Sequence, residues 1–302
     1  MSYVYFPGCS LKSTGRAYEE SMITVFDALG IALPEIDDWN CCGATAYMSI
    51  SELKAFALSA RNLAIAERQG NGSQGVDVVV PCAACYLGLN KTQHYLADNP
   101  GIRAKVNEAL HAANLEYAGN ARIRHPLDVL INDIGEAKVK EHVKKPLEGM
   151  KVACYYGCQL VRPYAEFDNQ DEPTTMDRLM TALGAEVVDW PLKTRCCGGS
   201  LTGTVSEVGQ RLSFLLLKEA SKRGCDVIAT ACPLCQFNLE CYQSTMNRNY
   251  NDSVNVPVAY FTQLMGIAFG LESKKLGLQR LFVPMRPARR TPAAAGGGHV
   301  VR

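Results

Sequence analysis

The chain has 302 residues, 47% of them hydrophobic, and its 31 basic residues balance 30 acidic ones to leave a net charge of +1. This length predicts one large domain or two smaller domains with a substantial core. The balanced charge excludes a global field that would recruit nucleic acid or an anionic membrane. Because no signal segment and no apolar run of membrane-spanning length is visible, we expect a cytoplasmic protein without direct membrane insertion.

The first half of the chain predicts alternating strands and helices. In chain order these elements are a strand at 3–6, a helix at 16–29, a strand at 31–36, a helix at 52–69 and a buried strand at 76–80. Each predicted strand is followed by cysteine, and the positions are Cys9, the vicinal pair Cys41-Cys42, and the Cys-x-x-Cys formed by Cys82 and Cys85. Ligand sites of open α/β sheets lie at such strand ends.

The second half repeats this plan. Its predicted elements are a strand at 152–156, a helix at 177–183, a helix at 205–223 and a buried strand at 226–229. Its cysteines follow in the same order as Cys158, Cys196-Cys197 and the Cys-x-x-Cys of Cys232 and Cys235. The offsets between matching cysteines are 149, 155 and 150 residues. So small a variation indicates duplication with short loop insertions.

The remaining segments predict connecting elements. They are a helix at 102–117, a helix starting at 124–130, a charged helix at 134–147, a turn at 255–260 and an apolar helix at 261–271. The apolar helix either completes the core or forms a docking surface. From residue 283 the composition predicts disorder, although Arg286, Arg289 and Arg290 offer contacts to a partner. We predict domains at 1–148 and 149–280, and a disordered tail at 281–302.

Thirteen cysteines in a reducing compartment favour metal binding or redox chemistry over disulfides. Cys225 and Cys241 each stand alone on an apolar stretch and are predicted to be small buried hydrophobes. Zinc, an iron–sulfur cluster and a redox dithiol all use a Cys-x-x-Cys. Five ordered thiols exceed the four ligands of tetrahedral zinc and the two of a dithiol. Glycine beside each vicinal pair lets backbone approach a bulky body, so iron–sulfur clusters are favoured.

The ordered pattern of lone cysteine, Cys-Cys-Gly and Cys-x-x-Cys, present twice, resembles the tandem cysteine-rich CCG domain. Together with the segment at 257–264, it resembles the B-subunit family of heterodisulfide reductase, including heterodisulfide reductase-like complexes of sulfur-oxidising bacteria. The resemblance covers about residues 2–272. It implies an α/β fold of two tandem Rossmann-like domains related by pseudo-two-fold symmetry, with clusters at the carboxyl ends of strands.

The resemblance also implies the cofactors and their ligands. Each five-cysteine set would bind a non-cubane 4Fe-4S cluster, giving two clusters in the chain. The implied ligands are Cys9, Cys41, Cys42, Cys82 and Cys85 in the first set, and Cys158, Cys196, Cys197, Cys232 and Cys235 in the second. Cys154 precedes Cys158 by four residues and is the alternative ligand, although the repeat aligns Gly157-Cys158 with Gly8-Cys9.

The implied function is that of an oxidoreductase acting on sulfur groups. Two clusters facing one another would make or break a disulfide or a protein-bound sulfur–sulfur bond, one electron from each. No side-chain acid or base is assigned, and Arg162 and Arg195 either position an anionic substrate or face solvent. Because no ferredoxin motif is present, the implied partners are an iron–sulfur C subunit and a flavin-containing A subunit. The alternative is a non-catalytic electron-transfer subunit of a lactate, glycolate or succinate-type oxidoreductase.

Overall fold

Two parallel sheets form the centre of the protein in this computed structural model, which describes residues 3–44, 46–70 and 75–285. The first sheet contains β1 (Tyr3–Tyr5), β2 (Val76–Val79) and β3 (Ala121–Arg124). The second contains β4 (Lys151–Tyr155), β5 (Glu186–Val187), β6 (Val227–Thr230) and β7 (Val258–Tyr260). Their side chains are mostly buried on both faces, as expected for parallel strands covered by helices.

The two sheets have the same topology. The first has the order β1-β2-β3, and a single parallel bridge between Tyr5 and Glu35 lies beside β1. The second has the order β5-β4-β6-β7. The bridge at Glu35 therefore occupies the place of β5, and β1, β2 and β3 correspond to β4, β6 and β7. The predicted strand at 31–36 is accordingly reduced to that one bridge in the first half.

Helices connect the strands and cover the sheets. In the first half they are α1 (Gly8–Leu11), α2 (Arg16–Ala28), α3 (Ala46–Ile50), α4 (Glu52–Gln69), α5 (Ala83–Asp98), α6 (Pro100–His111), α7 (Pro126–Asp128), a π-helix (Val129–Ile134) and α8 (Glu136–Glu141). In the second they are α9 (Thr175–Ala182), α10 (Leu201–Thr204), α11 (Ser206–Lys222), α12 (Pro233–Cys241), α13 (Gln243–Tyr250), α14 (Phe261–Ala268) and a 3-10 turn (Leu278–Arg280). None of the helices in the described residues has the length and apolar character needed to cross a bilayer.

The halves pack through helices that cross from one to the other. Helix α14 of the second half packs on α2 of the first, and α8 packs on α9. At the first contact, the rings of Tyr18 and Tyr260 stack with centroids 4.4 Å apart, and the hydroxyls of Ser21 and Thr262 are 2.6 Å apart. The apolar helix predicted at 261–271 is thus a buried core element, and the expectation that it forms a docking surface is wrong.

Two strands lie where the sequence predicted other structure. β3 ends at Arg124, so the helix predicted from residue 124 begins only at Pro126. β7 replaces the turn predicted at 255–260. Both are short edge strands of three or four residues, too brief for a period-two pattern to show. The predicted arginine contacts of the tail, Arg286, Arg289 and Arg290, lie outside the described residues.

Candidate metal centre

All ten predicted ligand cysteines lie at the carboxyl edges of the two sheets. Cys9 follows β1, Cys41-Cys42 follow the bridge at Glu35, and Cys82 is the N-cap of α5 directly after β2. After β1 the chain first pairs at Glu35 on one side of β1 and then returns to β2 on its other side. The crevice at such a switch point is the usual ligand site of open α/β sheets. The second half repeats this arrangement around β4 and β6.

The thiols of the first set form a continuous chain of contacts. The Sγ atoms of Cys42 and Cys85 are 3.1 Å apart. Hydrogen bonds join the thiol of Cys41 to those of Cys9 and Cys42, and join Cys82 to Cys85. Cys9 and Cys41 are exposed, whereas the other three are buried. The set therefore runs from the surface into the core.

The second set repeats most of these contacts around a cavity. The Sγ atoms of Cys197 and Cys235 are 3.5 Å apart, and hydrogen bonds join Cys158 to Cys196 and Cys232 to Cys235. All five thiols line one cavity of about 210 Å³, to which Ala83 of the first half also contributes. Five sulfur donors thus face a space larger than a single ion occupies.

The two sets meet at the interface between the halves. The thiol of Cys82 hydrogen-bonds to that of Cys232, and both side chains are buried. Each of these cysteines is the N-cap of the helix that follows it, α5 or α12. The chain of thiols is therefore continuous from the exposed Cys41 across the interface into the second set.

Glycine precedes the first cysteine of each set for a steric reason. Gly8 has φ +65°, and a Cβ there would lie 2.9 Å from Sγ of Cys85. Gly157 has φ +71°, and its Cβ would lie 3.1 Å from Sγ of Cys235. Any side chain at either position would press against the sulfur of Cys85 or Cys235 while its backbone adopts the left-handed conformation. These glycines let the strand end approach a crowded group of sulfurs.

Hydrogen bonds also fix the backbone of each vicinal pair. The hydroxyl of Ser59 on α4 donates to the carbonyl of Cys42 at 2.7 Å. The hydroxyl of Ser213 on α11 donates to the carbonyl of Cys197 at the same distance. Such support from outside the ligand set orients metal ligands, so the long helices α4 and α11 hold the pairs in place.

Electrostatics favour a thiolate at the exposed member of each vicinal pair. Hydrogen bonds from the thiols of Cys42 and Cys9 lower the pKa of Cys41 to about 2. A hydrogen bond from Cys158, with a further one from the N–H of Gly198, lowers the pKa of Cys196 to about 6. The donors Cys9 and Cys158 have raised pKa values for the same reason. Thiolates are the form of cysteine that ligates metals.

Cys154 and Cys158 occupy different environments. Cys158 contacts Cys196 and lines the cavity, whereas Cys154 lies within β4, fully buried. Burial, with the charge of Asp177, raises the pKa of Cys154, and its carbonyl accepts a hydrogen bond from the indole of Trp190. This placement supports Cys158 as the ligand. Cys225 and Cys241 are half-buried and lie outside both sets.

The arginines singled out near the second set line a separate polar cavity of about 560 Å³. The guanidinium of Arg162 donates to the carbonyl of Thr194, while Arg195 is exposed. Asp171 and Glu172 share the cavity, so its surface is of mixed charge. A role in holding an anionic substrate stays a prediction.

Sequence reasoning missed the importance of His125, which it assigned only to the start of a helix. This side chain is fully buried, and burial lowers its pKa to about 4. Its Nε2 lies 3.2 Å from the carbonyl oxygen of Pro81 and 3.3 Å from that of Ala231. No local signal was available, because β3 was not predicted and the partner carbonyls are 44 and 106 residues away in the chain.

The donor set fits an iron–sulfur cluster better than a single metal ion. Among the described residues, no group of three or more His, Cys, Asp or Glu side chains is arranged to hold one ion. Instead, five thiols with a positive-φ glycine beside them surround a cavity. Cysteine thiolates are the usual ligands of iron–sulfur clusters. This geometry disfavours the zinc alternative.

Comparison with known proteins agrees with the duplicated site. The model of the cysteine-rich CCG domain matches the chain twice, over residues 3–90 and 152–240. A protein of Archaeoglobus profundus, named as like the B subunit of heterodisulfide reductase, is 32% identical over 287 residues, which cover 91% of this chain and 93% of that protein. The chain belongs to the tandem CCG family that includes the B subunit of heterodisulfide reductase. The resemblance inferred from the cysteines is confirmed.

Other CCG-family relatives are subunits of different oxidoreductases. The B subunit of the ferredoxin:CoB-CoM heterodisulfide reductase from Methanosarcina mazei is 30% identical over 281 residues, covering 91% of each chain. The 8-methylmenaquinol:fumarate reductase membrane anchor subunit of Wolinella succinogenes is 33% identical over 278 residues, covering 91% of this chain and 95% of that one. This CCG chain is therefore homologous to oxidoreductase subunits of more than one kind.

A solved structure confirms the predicted α/β fold of this CCG chain. A hypothetical protein from Helicobacter pylori superposes with a TM-score of 0.76 at 17% identity, over 94% of this chain and 52% of that one. At this identity the likeness concerns the fold alone.

Proposed function

We propose that this chain is the catalytic iron–sulfur subunit of a heterodisulfide reductase-like complex. It would make or break a disulfide or other sulfur–sulfur bond at two non-cubane 4Fe-4S clusters held by the ten cysteines. The observation that carries the proposal is the contact between Cys82 and Cys232, which joins two five-cysteine sets across the interface. Two separate electron-transfer sites would not require this adjacency.

The electron balance explains why two sites would be placed together. Reduction of a disulfide to two thiols consumes two electrons and two protons, and bound iron–sulfur clusters typically transfer one electron each. The chain's own residues hold the two sites in fixed relation through the buried interface around Tyr18, Tyr260 and His125. Orientation of the two reacting sulfurs is thus the main contribution of the protein.

The partners follow from the relatives rather than from this chain. Several relatives are named as B subunits of heterodisulfide reductases, which implies further subunits. We infer an iron–sulfur C subunit and a flavin-containing A subunit as electron carriers. The substrate is a disulfide, such as the CoB-CoM heterodisulfide in the name of the relative from Methanosarcina mazei, or a protein-bound sulfur species.

A second function is favoured by the relative from Wolinella succinogenes. Its identity of 33% equals or exceeds that of the heterodisulfide reductase relatives cited above, and it is a subunit of a fumarate reductase. In this case the chain would pass electrons between partner subunits without binding a sulfur substrate. The ten cysteines would then serve as a relay only.

Electron paramagnetic resonance of the anaerobically purified protein separates the two functions. We expect iron and sulfide in both sites and, after oxidation with a substrate thiol present, a paramagnetic signal that depends on that thiol. A signal that responds to the electron donor but to no thiol would favour the relay. A colourless protein that contains zinc alone would contradict both functions.

A further inference from the structure

His125 lies at the meeting point of the two cysteine sites. It directly follows β3 and is the N-cap of α7, where its Nδ1 accepts a hydrogen bond from the N–H of Leu127 at 3.1 Å. Its Nε2 lies between the carbonyl oxygens of Pro81 and Ala231, at 3.2 and 3.3 Å. One imidazole therefore touches the helix cap, the end of β2 and the end of β6.

The hydrogen bonds fix which nitrogen carries the proton. Because Nδ1 accepts from a backbone N–H, it is unprotonated, and in a neutral ring the proton then lies on Nε2. The Nε2–H is thus shared between the two carbonyls in a three-centre hydrogen bond. Tyr86 packs edge-on against the ring and Phe167 packs parallel to it, with centroids 5.9 and 6.2 Å away. The ring is fully buried between these neighbours.

The two carbonyls belong to the residues immediately before the inner cysteines. Pro81 precedes Cys82, and Ala231 precedes Cys232. These two thiols are in contact across the interface. Movement of the two strand ends away from each other would lengthen one branch of the shared hydrogen bond and separate the thiols. His125 thus ties together the backbone of both ligand segments.

The corresponding residue of the second half makes no such bridge. Tyr260 ends β7 and is the N-cap of α14, as His125 is of α7. Its hydroxyl lies 3.5 Å from Oε1 of Gln236, within its own half. Of this pair, His125 hydrogen-bonds to both halves, whereas Tyr260 contacts the first half by stacking on Tyr18.

We propose that His125 is a positioning residue that sets the separation of the two cysteine sites and, through it, the electronic communication between the bound clusters. The part of this inference that concerns clusters rests on the proposed function. The part that concerns the two thiols stands on the geometry of the chain alone.

Two substitutions separate the bridge from the helix cap. Asparagine at position 125 retains a side-chain acceptor for the cap, where it is among the best residues, but does not reach both carbonyls. Glutamine places a donor about where Nε2 lies and caps less well. If the role of His125 is only to cap α7, His125→Asn is the milder change. If it is a bridge, His125→Gln is the milder change.

Cross-linking of the metal-free, full-length chain reports the separation directly. Diamide removes two hydrogens from a thiol pair to form a disulfide, and peptide mapping gives the ratio of the Cys82–Cys232 cross-link to the Cys42–Cys85 cross-link within the first half. Loss of one neutral hydrogen bond predicts a ratio about fivefold lower in His125→Asn, whereas His125→Gln stays within about twofold of the parent. The same ratio in all three proteins would overturn the proposal. If His125→Asn does not fold by circular dichroism, a folded His125→Gln that has lost the cross-link would overturn it.

The cluster-loaded protein gives the second readout. With both sites filled and paramagnetic, we expect spin–spin broadening in the parent and in His125→Gln, and less broadening in His125→Asn at equal iron content. Unchanged broadening in His125→Asn contradicts the electronic part of the proposal. A parent protein that never binds two clusters contradicts the proposed function, while the cross-link ratio still decides the role of His125.

Discussion

The two halves of the protein hold their cysteines alike but differ around them. In both, a positive-φ glycine precedes the lone cysteine, a serine hydroxyl holds the vicinal pair, and the Cys-x-x-Cys opens a helix directly after the central strand. These shared features fit the large inorganic body that we propose at each site. Duplication has retained them, which indicates that both sites perform the same kind of binding.

The connection after the lone cysteine differs between the halves. There are 37 residues between Cys158 and Cys196 but only 31 between Cys9 and Cys41. The longer segment reaches the first half, where Glu166 pairs with His94 at 2.8 Å and Phe167 stacks on His125. The second half thus covers part of the first through this segment, whereas the segment after Cys9 contacts the second half through α2, which packs on α14. The two sites thus share the order of their cysteines, but their first cysteines differ in exposure, since Cys9 is exposed and Cys158 is half-buried.

Replacing single cysteines is the strongest test of whether the two sets bind iron in the same way. Cys158→Ser removes a thiol that lines the second cavity and should lower iron and sulfide content by about half, since one of two sites is lost. Cys9→Ser, its counterpart, should give the same loss. Iron and acid-labile sulfide after anaerobic reconstitution measure both.

Cys154→Ser is the matched control, because this thiol lies inside β4 away from the set. It should retain full iron content. Loss of iron in Cys154→Ser with retention in Cys158→Ser would assign the ligand to Cys154 instead.

Alanine substitutions at Gly8 and Gly157 test whether the backbone packs equally closely against the cysteine sulfurs in the two halves. Gly8→Ala places a Cβ 2.9 Å from a ligand sulfur at φ +65°, so backbone strain and overpacking together should lower the free energy of unfolding by about 3 kcal/mol. In Gly157→Ala the Cβ would lie 3.1 Å from Sγ of Cys235, so the free energy of unfolding should fall by somewhat less. Urea unfolding of the metal-free protein measures both.

Gly30→Ala provides the control for backbone strain alone. Its φ is +75° and a Cβ there meets nothing within 4 Å, so only the left-handed backbone is penalised, by about 1 kcal/mol. Equal losses in Gly8→Ala and Gly30→Ala would show that the sulfurs are not crowded.

The sequence was sufficient for the parts of the molecule that repeat. Order and spacing of cysteines are properties of the chain itself, so the two groups of five cysteines, the duplication and the central strands β2 and β6 were predictable. The edge strand β3 was not, because Arg124 within it reads as polar. In the structure this arginine is buried by ion pairs with Asp128 and Asp133.

The contacts between the two halves could not be predicted from the sequence either. Nothing local to His125 shows that Pro81 and Ala231 will converge on it, since that depends on how two sheets pack. The helices α5 and α12 were also not predicted. The Cys-x-x-Cys motifs were interpreted only as metal ligands, although Cys82 and Cys232 are also the N-caps of these helices. Tertiary packing, not composition, decides these features.

A buried carboxyl is a smaller difference between the halves. Glu240 on α12 lies 150 residues after Asn90 on α5, the offset of the Cys-x-x-Cys, and both side chains are buried. Asn90 donates to the carbonyl of Tyr86 at 3.0 Å, whereas Glu240 accepts from the N–H of Val283 at 3.1 Å and from the amide of Gln236. Burial raises the pKa of Glu240 to about 7.

Glu240→Gln should remove a pH dependence of stability. At the matching position of the first half, Asn90 does not titrate and gives no such dependence. The folded pKa is about 7 and the ordinary value is 4.5, so between them the folded state binds more protons than the unfolded state. The contribution of Glu240 to the free energy of unfolding is therefore fully present below pH 4.5. It falls by up to about 3 kcal/mol as the pH rises to about 7 and above. Glu240→Gln should lose that decline, while Glu108→Gln, an exposed change on α6, should keep it. Urea unfolding of the metal-free protein across this pH range measures the slope, and parallel profiles for the parent and Glu240→Gln would show that the carboxyl is solvated enough to stay ionised.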